Sequence, residues 1–287
     1  MKVRKVVIPI AGLGTRFLPV SKSVPKVLLP VYDTSPVHYA VMEAAAAGIE
    51  QVIFVVSREE ALVSDYFDKN PDLEHVLQLR GENMLLERVR EIPSSMEFRY
   101  VKQEKQLGLG HAVLMARQAV GHEPFAVILP DDLIYSETPT IGRMIEIFDL
   151  TGSPVIAIKE VPDELVSSLG IVEPGWIDKD IYEVKDLVEK PDIGDKPSNL
   201  AIIGRYILPP RVFGELEKTN PGSLGEIQLT DSLANLRNTL KIYGYRFPGS
   251  HFDVGTPMGL LKASVHTVLQ EDEAAVNFKT WLFDIIK

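Results

Sequence analysis

A chain of 287 residues, 45% hydrophobic and 24% charged, can bury a sizeable core in one large domain or two small ones, and disorder is a poor default for it. The absence of cysteine excludes a disulfide framework, a thiolate metal site and a cysteine nucleophile. A net charge of −10 argues against a general nucleic-acid binder, which offers phosphates a broad basic face. The charge is nevertheless uneven: through Tyr32 the chain carries Lys2, Arg4, Lys5, Arg16, Lys22 and Lys26 and no acidic residue. These are either ordinary solvated side chains or a local anion site in an otherwise acidic protein.

The first basic residues precede an apolar run and imitate a secretory leader, but Pro9, Gly12, Gly14 and Arg16 break that run early. The longest uncharged run, residues 106–116, falls short of the roughly 20 residues that a membrane-spanning helix needs. A soluble, cytoplasmic protein with no membrane partner is expected.

In chain order, residues 3–10 form a β-branched run that ends in a glycine turn, the pattern of a buried first strand. A loop of some twenty residues follows. Pro36 then opens an Ala-rich helix that stops at Gly48, residues 51–56 read as a second strand, and a polar-faced helix covers 58–67. The stretch 73–92 is a charged, helical insertion. A strand at 98–101, a loop to Gly110, a helix through Val120 and a strand at 125–129 complete a repeated βα alternation. The fold class expected is therefore α/β, a Rossmann-like mixed and mostly parallel sheet flanked by helices. Gly12, Gln103 and Asp131 would all stand at carboxyl ends of strands, where such folds bind ligands.

After Ile141 the texture changes. Strands at 155–161, 181–189 and 200–208, with turn residues between them, predict antiparallel additions to the same sheet. Helices are expected at 210–218, 227–238 and 257–270, with an amphipathic tail at 274–287 that packs on its own domain or on a neighbouring subunit. A soft boundary near Ser153 divides residues 1–152 from 153–287 within one continuous domain.

Ala11-Gly12-Leu13-Gly14-Thr15-Arg16 lets the backbone approach a ligand and present N–H groups to it, or it is simply a tight corner. The dinucleotide fingerprint would need a glycine at Phe17, and the Walker pattern a longer loop ending in Gly-Lys-Ser or Gly-Lys-Thr. Pro130-Asp131-Asp132 at a strand end is a metal site, a helix cap or a turn.

The motif extends through Phe17, Pro19, Ser21-Lys22 and Pro25-Lys26-Val27-Leu28-Leu29-Pro30, and in this extended form it resembles the signature of the sugar-phosphate nucleotidyltransferases. Gln103-Glu104-Lys105-Gln106-Leu107-Gly108-Leu109-Gly110-His111, Leu129-Pro130-Asp131-Asp132, Leu169-Gly170, Val188-Glu189-Lys190-Pro191, Gly225-Glu226-Ile227-Gln228-Leu229-Thr230-Asp231 and Phe252-Asp253-Val254-Gly255 narrow it. Together they resemble the bacterial UTP:glucose-1-phosphate uridylyltransferases over nearly the whole chain.

The resemblance implies a nucleotide half at 1–152 and a sugar-phosphate half, with C-terminal helices, at 153–287. It implies that Ala11, Gly12, Gln103 and Gly108 read uracil, with Gly14 in the same nucleotide-binding loop. Arg16 would grip the β- and γ-phosphates and Lys26 the α-phosphate region, two cations set against a triphosphate. Asp131 and Asp253 would hold Mg²⁺, with Asp132 standing behind them. Glu189 and Lys190 would meet the sugar 1-phosphate, in a pocket where Gly170 makes room. His111 is expected to be structural. The substrates implied are UTP and glucose 1-phosphate, the assembly a homodimer or homotetramer.

Two positions depart from the family. Val27 stands where a base-holding Glu usually follows the lysine, and Asp33-Thr34-Ser35-Pro36 replaces a common Asp-Lys-Pro. Weaker discrimination of uracil from thymine is expected. The alternatives are a thymidylyltransferase using dTTP, or a silent relative that binds sugar nucleotides without catalysis.

Overall fold

The computed structural model describes residues 2–57, 60–91, 96–222 and 225–286. Eleven strands are present among them: β1 (Lys5–Pro9), β2 (Gln51–Val56), β3 (Glu97–Lys102), β4 (Phe125–Ile128), β5 (Asp132–Tyr135), β6 (Val155–Glu160), β7 (Gly170–Asp178), β8 (Ile181–Glu189), β9 (Leu200–Leu208), β10 (Tyr243–Arg246) and β11 (Ser250–Asp253). Nine form one mixed sheet in the order β3-β2-β1-β4-β9-β6-β10-β8-β7, and β11 pairs with β5 in a separate ribbon. Strands β3, β2, β1 and β4 run parallel, as the βα alternation requires. Antiparallel β9 then lies between β4 and β6, so the sheet crosses residue 153 without a break.

The period of two along each strand divides the core. Val6, Ile8, Val52 and Phe54 face one side, under the helices Pro36–Ala46 and Thr140–Thr151. Val7, Ile53, Val55, Phe125 and Val127 face the other, under the helices Leu109–Met115, Val212–Lys218 and Leu229–Arg237. A third, small cluster of Val31, Leu133, Val254 and Ala263 fixes the β5–β11 ribbon.

Several elements differ from the sequence reading. The early loop contains three short 3₁₀ turns, Thr15–Phe17, Val20–Lys22 and Lys26–Leu28. The insertion forms two helices, Pro71–Arg80 and Asn83–Val89. Helix Thr140–Thr151 is absent from that reading, although Ile141, Met144, Ile147 and Phe148 carry the helical spacing and are its buried face. Strand β7 is hidden by Pro174 and Gly175, residues that argue against a strand. Strands β5, β10 and β11 are four residues each, too short for a periodic signal. The expected antiparallel additions are present, β9 against β4 and β6, and β8 against β10, while β10, absent from the sequence reading, runs parallel to β6. The expected helix start at Arg58, the insertion's end at Ile92 and the tail's last residue, Lys287, lie outside the described residues. Among the described residues no helix is long and apolar enough to cross a membrane.

Candidate active site

The glycine turn leaves the carboxyl end of β1 and folds back on itself. Gly14 has φ +62°, and a Cβ there would stand 3.1 Å from Ser21 Cβ and 3.2 Å from Lys26 Cβ, so a side chain would be both strained and crowded. Ser21 Oγ donates to the Gly14 carbonyl at 2.7 Å and closes the loop. That closure directs Lys26 inward, where Nζ pairs with Asp131 Oδ2.

Asp131 follows β4, and β11 brings Asp253 to it from far along the sequence. Asp253 stands in register with Asp132, and Val254 N–H donates to the Asp131 carbonyl at 2.8 Å. Arg16 Nη1 lies 4.0 Å from Asp253 Oδ2. Burial, then the charges of Asp132 and Asp131, push the Asp253 carboxyl above its ordinary value; the Gly255 N–H, which donates to Asp253 Oδ1 at 3.0 Å, and Arg16 oppose this. A Cβ on Gly255 would stand 2.9 Å from Asp253 Oδ1 and 3.1 Å from Asp131 Oδ2, so this glycine lets the two carboxylates lie close together against the backbone. Two neighbouring carboxylates supply the hard oxygen donors that a divalent cation takes, and water or phosphate oxygens would have to complete its set, since among the described residues no third carboxylate or histidine joins them.

The strand end is held from below by residues the sequence reading missed. Arg205 on β9 is buried, and its guanidinium donates to Glu43 Oε2 at 2.7 and 2.9 Å, to the Leu129 carbonyl at 3.0 Å and to the Asp132 carbonyl at 2.8 Å. An arginine inside an apolar strand was the available signal, since a charge there needs a partner. Asp132 itself bonds His251 Nε2 through Oδ1 at 2.7 Å.

Ala11, Gly12, Gly14, Lys26, Gln103, Gly108 and Asp131 line one cavity of about 500 Å³, together with Val27, Gln106, Glu226 and Gln228. Gln106 Nε2 donates to the Ala11 carbonyl at 2.5 Å and ties the two loops together. Gly108 has φ +94°, and a Cβ there would meet Glu226 Cβ and the Ile227 carbonyl oxygen at 2.9 Å. His111, at the start of the helix Leu109–Met115, lies with its Nδ1 2.8 Å from Gln103 Nε2.

Gly170, Glu189 and Lys190 line a second cavity of about 200 Å³ with Asp132, Tyr206 and Thr230. A Cβ on Gly170 would come within 2.9 Å of Thr230 Oγ1 and 3.2 Å of Glu189 Oε2, so only glycine leaves this space free. Lys190 has φ +48°, and its Nζ lies 3.4 Å from Glu189 Oε1. Burial and the Glu189 charge push the Asp231 carboxyl up. The two cavities share Leu109, Leu129 and Gln228. Arg16 and Asp253 line neither cavity and join the site through Asp131. A further cavity of about 540 Å³, bordered by His38, Tyr66, Arg88 and Glu91, shares no residue with these two.

Residues 5–270 match the family described as nucleotidyl transferase. Among characterised relatives, a UTP–glucose-1-phosphate uridylyltransferase of Staphylococcus epidermidis is 41% identical over 281 residues, 98% of each chain. One from Staphylococcus haemolyticus is 43% identical over 270 residues, 94% of each chain. Among solved structures, a UTP-bound UGPase from Acinetobacter baumannii superposes with TM-score 0.90 at 39% identity, covering 98% of this chain and 99% of that one. A UDP-glucose pyrophosphorylase complexed with UDP-glucose superposes with TM-score 0.86 at 40% identity, covering 94% and 100%.

A mixed sheet whose strand ends gather a glycine turn, two cations and two carboxylates defines an α/β nucleotidyltransferase. The chain belongs to the nucleotidyl transferase family, and its full-length likeness groups it with the UTP–glucose-1-phosphate uridylyltransferases.

Proposed function

We propose that this chain transfers the uridylyl group of UTP to glucose 1-phosphate, releasing pyrophosphate and forming UDP-glucose. One observation carries the reading: consecutive residues face the two cavities, Asp131 the larger and Asp132 the smaller. A nucleotide in the first and a sugar phosphate in the second would meet at this strand end. The names of the relatives and their UTP and UDP-glucose complexes support the same substrates.

In this reading Ala11, Gly12, Gly14, Gln103 and Gly108 seat the nucleotide. Lys26 neutralises the α-phosphate and Arg16 the departing β- and γ-phosphates. Glu189 accepts from sugar hydroxyls, Lys190 offsets the charge of the incoming phosphate, and Gly170 leaves room for the ring. A phosphate oxygen of glucose 1-phosphate donates its electron pair to the α-phosphorus while the bond to the bridging oxygen of pyrophosphate breaks. That oxygen is largely ionised at neutral pH, so no general base is required. Asp131 and Asp253 would hold Mg²⁺, which when bound would supply further neutralisation of the triphosphate charge. Orientation and charge compensation together supply on the order of 10 kcal/mol.

Residues 1–152 then contribute most of the nucleotide cavity and 153–287 most of the sugar-phosphate cavity within one catalytic domain. The enzyme would act in the cytoplasm as a homodimer or homotetramer, and the exposed Trp281, Phe283 and Ile286 of the terminal helix offer apolar surface for that contact. A second substrate, dTTP, is favoured by Val27, which gives the nucleotide cavity an apolar residue. The silent-relative alternative is disfavoured because Arg16, Lys26, Asp131, Lys190 and Asp253 are all retained.

The test is pyrophosphate release from each nucleoside triphosphate with several sugar 1-phosphates and Mg²⁺. Release with UTP and glucose 1-phosphate is expected. Release with dTTP alone would overturn the uridylyl reading, and silence with every pair would favour a binding protein.

A further inference from the structure

Gln103 is buried on the wall of the larger cavity. Its Nε2 lies 3.3 Å from the Gly108 carbonyl oxygen and 2.8 Å from His111 Nδ1. A carbonyl oxygen only accepts, so this contact favours the amide orientation that turns the nitrogen toward Gly108. The nitrogen's other hydrogen is directed at His111 Nδ1, which must accept and therefore carries no proton. The imidazole is the neutral tautomer with its hydrogen on Nε2. Burial pushes the His111 ring below its ordinary value, which agrees with a neutral ring.

Both amide hydrogens of Gln103 are now engaged. The atom left for a ligand is Oε1, to which no bond is made among the described residues. The shorter contact, to His111, is the stronger constraint; the Gly108 contact is longer than an ordinary N–H···O bond. We infer that His111 is a positioning residue that locks Gln103 as a hydrogen-bond acceptor toward the nucleobase, selecting pyrimidines with an imide N–H over those with a bare ring nitrogen. The inference rests on the uridylyl reading of this cavity. Uracil and thymine donate from N3–H to such an acceptor. Cytosine presents a lone pair at N3, so acceptor would face acceptor on a buried wall, and an unpaired buried polar group is costly.

Calorimetric binding of UTP, dTTP and CTP with Mg²⁺ to the full chain tests this. The variants are His111→Phe and His111→Leu, which offer no acceptor, and His111→Asn, whose amide oxygen can stand near the position of Nδ1. The unaltered protein is expected to prefer UTP and dTTP over CTP. Either apolar variant should shrink that preference about tenfold, the worth of one hydrogen bond, and His111→Asn should recover most of it. A UTP-to-CTP ratio unchanged in a folded apolar variant, or equal weakening for all three nucleotides, would overturn the inference. Two apolar variants are used so that misfolding of one does not decide the matter. Because binding is read directly, protein that selects UTP yet releases no pyrophosphate would sink the catalytic reading and leave this one standing.

Discussion

Two charged groups meet at the end of β4, and they are built in opposite ways. Above it, Arg16, Lys26, Asp131 and Asp253 form an open constellation in which every side chain keeps solvent exposure, from 23% at Lys26 to 66% at Arg16. Below it, Arg205 and Glu43 are paired at 2% and 13% exposure, with every contact of the guanidinium made inside the protein. Exposed pairs add little stability, whereas a buried pair that loses one member leaves an uncompensated charge. The upper group is therefore available to a ligand, and the lower group keeps the strand end rigid. Charge alone did not separate the two roles; burial did.

The largest effect should come from the upper group. Asp253→Ala and Lys26→Ala are each expected to lose roughly a thousandfold or more in pyrophosphate release, comparable to deleting one electrostatic stabiliser of a transition state. Their urea midpoints should stay close to that of the unaltered chain. Near-normal turnover by either purified variant would remove the functional half of the comparison.

The lower group should show the reverse. Arg205→Met is expected to cost about 3–5 kcal/mol of unfolding free energy, because Glu43 and the Leu129 and Asp132 carbonyls lose their partner. Adding Glu43→Leu should return part of it. A stability loss below 1 kcal/mol in urea titrations, with a corresponding fall in activity, would instead make Arg205 part of the working site.

The smallest effect sharpens the comparison through pH. His38 sits on the same helix as Glu43, beside Tyr66 at 3.3 Å and Glu91 at 3.8 Å, and burial pushes its imidazole below the ordinary value despite the Glu91 charge. The unfolded chain then binds the proton more readily than the folded one. Stability is complete above the ordinary histidine value and declines as pH falls through the lowered one. His38→Asn should flatten this acid slope in urea titrations while leaving the neutral-pH activity intact, since His38 lines neither site cavity. An unchanged slope would assign the acid sensitivity elsewhere.

How much could be read without coordinates follows from which signals are local. The β-branched runs, the Ala-rich helix bounded by Pro36 and Gly48, and the Gly-Pro-Lys loop are local patterns, and they specify the α/β class and the strand ends that carry Gly12, Gln103 and Asp131. The resemblance named the charged residues but not their surroundings. That Asp253 reaches Asp131 depends on the four-residue strands β5 and β11, whose pairing has no sequence period to announce it and is held by the small cluster around Leu133 and Val254.

The same holds for the partner of Arg205 and for the hydrogen that fixes Gln103. Both are decided by which atoms burial brings within bonding distance. Residue types and spacing determined what chemistry this chain can carry. Tertiary packing alone decided which charges stay open to a ligand and which are sealed beneath, because only packing sets how much water each one loses.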